Sequence, residues 1–284
     1  SALKKKRRRL KKHRRKIIQD FLLREEKYAS YFATFGDRNS FSKTDKDATF
    51  MRMKEDHMMN GQLKPGYNIQ IGTENQFVLH CAVFSNPTDT RTLIPFIESI
   101  PDKLPRTIIA DAGYGSEENL DYMENTGVEA LIKYGLYEKE KKKAFRESDK
   151  NLDNWTYLEQ EDQYIHPDGT LFQFSHLSNR KRDSGYISQA RVYKTTKPEG
   201  ENRKSLAVNS YYEEQKQQMR EKLLSKEGGK LFAQRKIEVE SVFGQVKANL
   251  RFTRLSVRGK AKVTKEIRLL FMANNLKKYA KLTT

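Results

Sequence analysis

Hydrophobic and polar residues alternate near residue 67 in the pattern of a β-hairpin. Apolar and polar side chains take turns over residues 67–71, residues 73–75 are suited to a turn, and residues 77–84 form an apolar run. A period of two residues predicts strands. Cys81 lies in the second predicted strand, so we interpret it as a small buried side chain and not as a reactive thiol.

Helices and strands are predicted to alternate after the hairpin. Residues 107–110 form a short β-rich run that ends at Asp111, and residues 128–132 form another. Between them Ser116 is suited to cap the start of a helix, and Gly127 is suited to end it. The predicted order is hairpin, helix (93–100), strand, helix, strand. This order predicts an α/β fold with a mixed sheet flanked by helices.

The periodicity weakens between residues 136 and 229. Short β-like stretches and runs of charge fill this segment, so we interpret it as an insertion with β character. Helical spacing returns over residues 230–249 and 260–281. The predicted organisation has four parts: a basic N-terminal helix and linker (1–42), the first part of the core (43–135), the insertion (136–229) and C-terminal helices that complete the core (230–284).

Composition adds a strong positive charge to this picture. The 284 residues include 55 Lys and Arg against 37 Asp and Glu, which gives a formal net charge of +18. Lys and Arg gain affinity for polyanions by releasing counterions from phosphates, so nucleic acid is the expected partner. The single cysteine excludes a disulfide framework, and no apolar stretch approaches the ~20 residues of a membrane span. A cytoplasmic location is expected.

The positive charge is densest near the N-terminus. Residues 4–16 hold eleven Lys and Arg side chains and no acidic one. Two interpretations are open: an arm that follows phosphates, or a solvated terminus. Apolar residues at helical spacing over residues 17–32 predict that the basic segment continues into an amphipathic helix, which residues 36–40 end.

Two acidic residues are candidates for chemistry. Asp111 follows a predicted buried strand, which places a carboxylate at the edge where α/β sheets bind ligands; a turn or helix cap is the alternative. Glu240 shares one face of a predicted helix with Lys236 and Lys247. A carboxylate between two cations suits metal-assisted phosphate chemistry, and an ordinary ion-pair ladder is the alternative.

Four segments in the same order resemble the catalytic domain of bacterial insertion-sequence transposases of the DDE class. They are residues 63–70 (LKPGYNIQ), 86–90 (NPTDT), 109–119 (IADAGYGSEEN) and 238–247 (EVESVFGQVK). The resemblance extends from about Arg38 to the C-terminus. It implies an RNase H-like fold with a β-rich insertion before the last catalytic helix. It also implies DNA transposition, in which three acids hold two divalent ions that cleave and join phosphodiesters.

The resemblance also assigns residues and partners. The second acid of the family corresponds to Asp111 and the third to Glu240, so both are expected catalytic residues and metal ligands. Mg²⁺ fits such oxygen ligands best, with Mn²⁺ as a substitute. The implied partners are the double-stranded DNA of transposon ends and target, and a second copy of the chain in a homodimer on DNA. The residues expected to bind DNA are Lys236, Lys247, Arg251 and Arg254.

The first acid of the family has no counterpart upstream of residues 43–53. Asp168 begins an Asp-Gly-Thr sequence, but it follows Asp111 in the chain, so we interpret it as part of a turn in the insertion. Asp45 and Asp47 match a family segment near the catalytic pocket and are further candidates for the metal site. The alternative hypothesis is therefore a catalytically incomplete DNA-binding fragment or remnant, the C-terminal portion of a longer transposase.

Three residues of the insertion have two interpretations each. His166 and His176 are suited to half of a metal site, although surface positions are the more ordinary interpretation. Trp155 is suited to stacking on a base flipped out of a transposon end, or to the core of the insertion. A ribosome-associated protein that prefers RNA is a further alternative for the whole chain.

Overall fold

A computed structural model describes residues 2–36, 38–53, 60–101, 103–195 and 204–283. The backbone forms two compact units, each built from three segments of the chain. The first unit comprises Ser1–Asn68, Val83–Pro87 and Leu255–Lys265. The second comprises Ile69–Ala82, Thr88–Arg254 and Glu266–Thr284. The predicted insertion lies within the second unit.

The first unit begins with a helical run that confirms the predicted continuation of the basic segment. Helix α1 (Ala2–Lys16) passes through a π-helical turn (Ile17–Phe21) into α2 (Leu22–Phe35). No described side chain of this run is buried. The run ends at Phe35, and Asp37 of the predicted break lies outside the described residues. Strands β1 (Thr49–Arg52) and β2 (Leu63–Gly66) then pair antiparallel.

Most of the predicted hairpin, and the strands around Asp111, belong to the second unit. Strand β3 (Asn68–Glu74) pairs with β4 (Phe77–Phe84), and the short helix α3 (Leu93–Glu98) follows. Strand β5 (Thr107–Gly115), helix α4 (Glu117–Thr126) and strand β6 (Glu129–Tyr134) form a β-α-β unit in which the two strands are parallel. In the described part of the chain these strands form two separate pairs instead of the single mixed sheet that the sequence predicted.

Local signals set the ends of α4. The Ser116 hydroxyl accepts a hydrogen bond from the Asn119 amide at 3.3 Å, and Gly127 ends the helix in the left-handed conformation with φ of 69°. The cap at each end agrees with the prediction. The apolar face of α4 packs with β6 and α3 into a buried core that includes Ile97, Met123 and Ile132.

Among the described residues, five strands lie between residues 156 and 208, within the predicted insertion. Two helices of four residues each, α5 (Tyr137–Glu140) and α6 (Lys143–Arg146), precede an antiparallel sheet in the order β11-β10-β9-β8-β7. Its strands are β7 (Thr156–Leu158), β8 (Gln163–Ile165), β9 (Leu171–Lys181), β10 (Ile187–Thr195) and β11 (Ser205–Val208). Asp168 lies in the turn between β8 and β9, as predicted, where its carboxylate accepts a hydrogen bond from the Thr170 amide at 2.8 Å.

Trp155 lies among aromatic side chains of the insertion, and the His166 side chain is partly buried instead of lying at the surface. Trp155 packs against His166 and Phe172, with ring centroids 4.6 and 5.0 Å away, and donates its indole N–H to the carbonyl of Asp149. His166 contacts Asp168 at 2.8 Å, whereas His176 bonds to its neighbour Ser175. The two histidines therefore have separate partners.

Three helices complete the chain. Helix α7 (Ser210–Leu224) packs Met219 and Leu223 into the core of the second unit. Helix α8 (Lys226–Gly244) begins before the predicted residue 230, because the Ser225 hydroxyl caps the Gly228 amide at 3.0 Å. A π-helical turn (Gln245–Asn249) and α9 (Lys260–Thr283) follow. No helix in the described part of the chain has the length and apolar character needed to cross a membrane.

Candidate active site

Asp111 lies on an irregular stretch within β5. Residues 107–110 pair in regular parallel register with β6, and the register then shifts before Gly115 pairs with Tyr134. The Asp111 side chain is 59% exposed, and its Oδ1 accepts a hydrogen bond from the Ala112 amide at 2.9 Å. Residues 111–114 therefore bulge out of the strand ladder within β5, which presents the carboxylate to solvent; we call this bulged stretch the Asp111 loop.

Helix α8 approaches Asp111 through Arg235. The guanidinium Nη2 of Arg235 lies 3.7 Å from Asp111 Oδ1, and the arginine side chain is only 18% exposed. Its Nε is buried and has no hydrogen-bond partner among the described residues. The loop that carries one predicted catalytic acid therefore contacts the helix that carries the other.

Glu240 lies on the exposed side of that helix. It follows Arg235 by five residues, which corresponds to about 140° around the helix axis. Its side chain is exposed and has no ion-pair or hydrogen-bond partner in the described part of the chain. Glu238, in contrast, is half-buried and accepts a hydrogen bond from the Gln76 amide in the β3–β4 turn. No described contact joins Glu240 to Asp111.

A second segment, residues 88–92, holds the Asp111 loop in place. The Thr90 hydroxyl donates to the Gly113 carbonyl at 2.9 Å. Asn119, which is 1% exposed, donates its side-chain amide to the carbonyls of Thr90 at 3.0 Å and Tyr114 at 2.8 Å. Because one buried amide bridges both segments, the shape of the loop depends on residues far from it in sequence.

Asp89 extends this contact into a polar cluster. A Cβ added at Gly113 would lie 3.2 Å from Asp89 Oδ2, so the loop passes close to this carboxylate. Gln70 donates to Asp89 Oδ1 at 3.0 Å and accepts a hydrogen bond from the Tyr114 hydroxyl. Burial, and then the negative charge of Asp89, raise the pKa of Tyr114.

Sequence reasoning did not assign Asp89 to the site. The only signal was its position within residues 86–90, a segment that contributed to the family resemblance without a chemical role. Asp89 comes close to the loop through contacts of the folded chain, because Gln70 and Gly113 lie on different strands.

Asp45 and Asp47 form hydrogen bonds within the first unit at the start of α9. Asp45 Oδ2 accepts hydrogen bonds from the Tyr67 hydroxyl at 2.8 Å and the Gly259 amide at 3.1 Å, and Asp47 Oδ2 accepts one from the Lys260 amide at 2.8 Å. Amides in the first turn of a helix lack intrahelical partners, so both carboxylates cap α9. Burial, followed by the bond to Asp45, raises the pKa of Tyr67.

The predicted DNA-binding residues lie on and after α8. Lys236 and Lys247 are exposed side chains of the helix and of the π-helical turn that follows it. Arg251 and Arg254 are exposed in the loop before α9, and Arg251 adopts a positive φ of 51°. The second unit thus exposes both these cations, which are of the type that binds phosphates, and the acid of the Asp111 loop.

Metal ligands are sparse among the described residues. They contain no group of three or more His, Cys, Asp or Glu side chains close enough to hold an ion. Asp111 and Glu240 offer carboxylate oxygens, the donors that Mg²⁺ prefers. The carboxylate oxygens are suitable donors for a divalent ion. The described residues do not bring together enough of them to hold one.

The structure defines an α/β protein with a large positive charge, in which an exposed acid lies on a bulge of a parallel strand. The family model described as the transposase DDE domain matches residues 39–276. The chain therefore belongs to the DDE transposase family, as the sequence resemblance indicated. No curated protein and no solved structure is similar enough to the chain to count as a match.

Proposed function

We propose that the chain is the catalytic part of an insertion-sequence transposase, which cleaves DNA at the ends of the element and joins them to a target. The presentation of Asp111 on a solvent-exposed loop, held against α8 by Arg235, carries the proposal. Asp111 and Glu240 are assigned as two of the catalytic acids. We further propose that the β5-α4-β6 unit and the hairpin belong to an RNase H-like core.

The proposed cofactor is Mg²⁺, with Mn²⁺ as a substitute. The described residues contain no group of three or more candidate metal ligands, and no described contact joins Asp111 to Glu240. We therefore assign Asp111 and Glu240 as metal ligands by donor chemistry, and we derive no reaction step through the ion. A complete site requires at least one more ligand than these two side chains provide.

The proposed substrate is double-stranded DNA, both transposon ends and target, bound by two copies of the chain. Lys236, Lys247, Arg251 and Arg254 are assigned as phosphate contacts, since exposed cations release counterions when they bind DNA. The proposed location is the nucleoid of a bacterial cytoplasm, where such DNA lies.

The alternative function is DNA binding without cleavage by this chain alone. Within the described residues β5 pairs only with β6, yet parallel strands normally belong to larger sheets that are covered on both faces. The other edge of β5 is suited to a further strand. An acid on such a strand would lie beside the Asp111 loop, so cleavage would depend on adding that strand.

Nicking of supercoiled plasmid tests both functions. The chain is assayed with Mg²⁺ and then Mn²⁺, alongside Asp111→Asn, Glu240→Gln and Glu227→Gln, the last an exposed glutamate of the same helix as a matched control. Metal-dependent nicking that is lost in the first two variants and kept in the third supports the catalytic function. Salt-sensitive DNA binding without any nicking supports the alternative. Equal nicking by all four proteins refutes both acid assignments.

A further inference from the structure

Helix α1 has an unusual distribution of charge. Residues 4–16 supply eleven Lys and Arg side chains, and the helix has no buried residue and no acid in its first turn. Among the described residues, none of these cations forms an ion pair with a carboxylate. Contacts within the chain therefore contribute little to the stability of this helix, and its charged side chains are available to an external partner.

The cations surround the helix instead of forming a stripe. At 100° per residue, the largest gap between neighbouring cations is about 80° of the circumference, and Leu3 and Leu10 fill that gap. A helix that lies on a flat anionic surface needs cations on one side only. Cations on nearly all sides suit a cleft with anions on both walls.

The major groove of duplex DNA is such a cleft. It is about 12 Å wide, which matches the 10–12 Å diameter of a helix with its side chains, and a phosphate backbone forms each wall. The major groove of duplex RNA is deep and too narrow for side chains to read. The shape and the charge of α1 therefore favour duplex DNA over other polyanions.

The same charges oppose the helix when no polyanion is present. Like charges three and four residues apart repel, as do cations near the positive N-terminal end of the helix dipole. Helix α1 buries no side chain, so tertiary packing does not offset these penalties. Phosphates that neutralise the cations remove both penalties, so binding and helix formation favour each other.

The other end of the helical run is anchored within the first unit. The Arg38 side chain donates to the carbonyls of Phe35, at 3.2 Å, and Thr34, at 2.7 Å. The rings of Tyr31 and Phe35 contact Phe41, with centroids 5.5 and 5.2 Å apart. The run is therefore fixed at α2, while α1 buries no side chain against the protein.

We propose that α1 is a DNA-binding helix that enters the major groove of duplex DNA and becomes fully helical there. This contact is additional to Lys236, Lys247, Arg251 and Arg254. This proposal rests on the proposed function only in taking DNA as the polyanion. The experiments below measure DNA binding and helix content, neither of which requires DNA cleavage.

Circular dichroism of the full chain at low salt, titrated with a short DNA duplex, tests the helix. We expect helix content to rise, by at most the 15 residues of α1. Leu10→Pro, which keeps every charge but interrupts the helix, should remove the gain and weaken duplex binding at least about tenfold. Leu10→Ala, the matched control, should keep both. Equal binding by the two variants would overturn the proposal.

Salt dependence tests the charge. Replacing Arg7, Arg8 and Arg9 with Gln should reduce the slope of log affinity against log salt by up to about three, since each lost phosphate contact accounts for ~0.9. The same change at Lys139, Lys141 and Lys142, three exposed cations of the second unit, should leave the rise in helix content intact. If the control variant with all three lysines replaced showed no rise in helix content on DNA, the proposal would be overturned.

Two further outcomes distinguish other partners. Duplex RNA that induces the same helix with equal affinity would refute insertion in the major groove. Helix content that rises with protein concentration without DNA would assign the surface to a second copy instead. A chain that never nicks plasmid but gains helix on DNA supports this inference while removing the catalytic proposal, so the two failures are distinguishable.

Discussion

The buried amide of Asn119 is predicted to control the geometry of the Asp111 loop. Replacement with Asp preserves size but removes both donors and directs carboxylate oxygens at the carbonyls of Thr90 and Tyr114. A buried acceptor left without a donor costs about 1–3 kcal/mol, so two acceptors cost about 2–6 kcal/mol. The predicted result is a loss of that size in the free energy of unfolding.

Urea denaturation measures this loss as a shift of the midpoint with an unchanged slope. Asn154→Asp is the matched control, because Asn154 also donates its side-chain amide to two carbonyls, those of Arg146 at 2.7 Å and Ser148 at 2.8 Å, but is exposed. Water can replace those donors, so we expect a cost below about 1 kcal/mol. Equal costs for the two variants would refute the argument from burial. Acidification should reduce the Asn119→Asp penalty, since a protonated carboxyl regains one donor.

Three other predictions concern stability. Gly115→Ala should lower the free energy of unfolding by about 3 kcal/mol, because the new Cβ would lie 2.1 Å from a carbonyl oxygen of β6. Gly135→Ala, the control, places its Cβ in open space and should cost less than about 0.5 kcal/mol. Thermal unfolding of the two variants measures the difference. Asp47→Ala should cost about 1 kcal/mol by uncapping α9, and Asp47→Asn should recover most of this in urea titrations. Burial, and then the charge of Arg268, lower the pKa of His80 below its usual 6.5. The neutral folded form therefore contributes stability above pH ~6.5 that is lost as the pH falls, and His80→Gln should flatten this part of a stability-against-pH curve.

Elements with local signals were predictable from the sequence. The β3–β4 hairpin follows from alternation, and α4 follows from its caps at Ser116 and Gly127. The exposure of Glu240 beside Lys236 follows from helical periodicity. In each case the information lies within one or two turns of the chain, where sequence spacing and spatial spacing coincide.

Features that depend on distant segments were not predictable in the same way. The expected mixed sheet separates into two pairs of strands, which depends on which strand edges meet. The alternation of apolar and polar residues along a strand does not determine which other strand pairs with it. The cluster of Gln70, Asp89 and Tyr114 joins residues 19 and 44 positions apart. No local periodicity encodes such a contact, so the sequence identified the segment around Asp89 without its role.

The capping of α9 by Asp45 and Asp47 has a consequence for synthesis of the protein. The carboxylates bond to amides that lie 214 and 213 residues further along the chain. Ribosomes add about 5–20 residues per second, so roughly 10–40 s separate the synthesis of the acids from that of the amides. During this interval α9 has not been synthesised, so the carboxylates of the turn at residues 42–48 lack the amides that they later bind. This part of the first unit is therefore completed only after Gly259 and Lys260 have been synthesised.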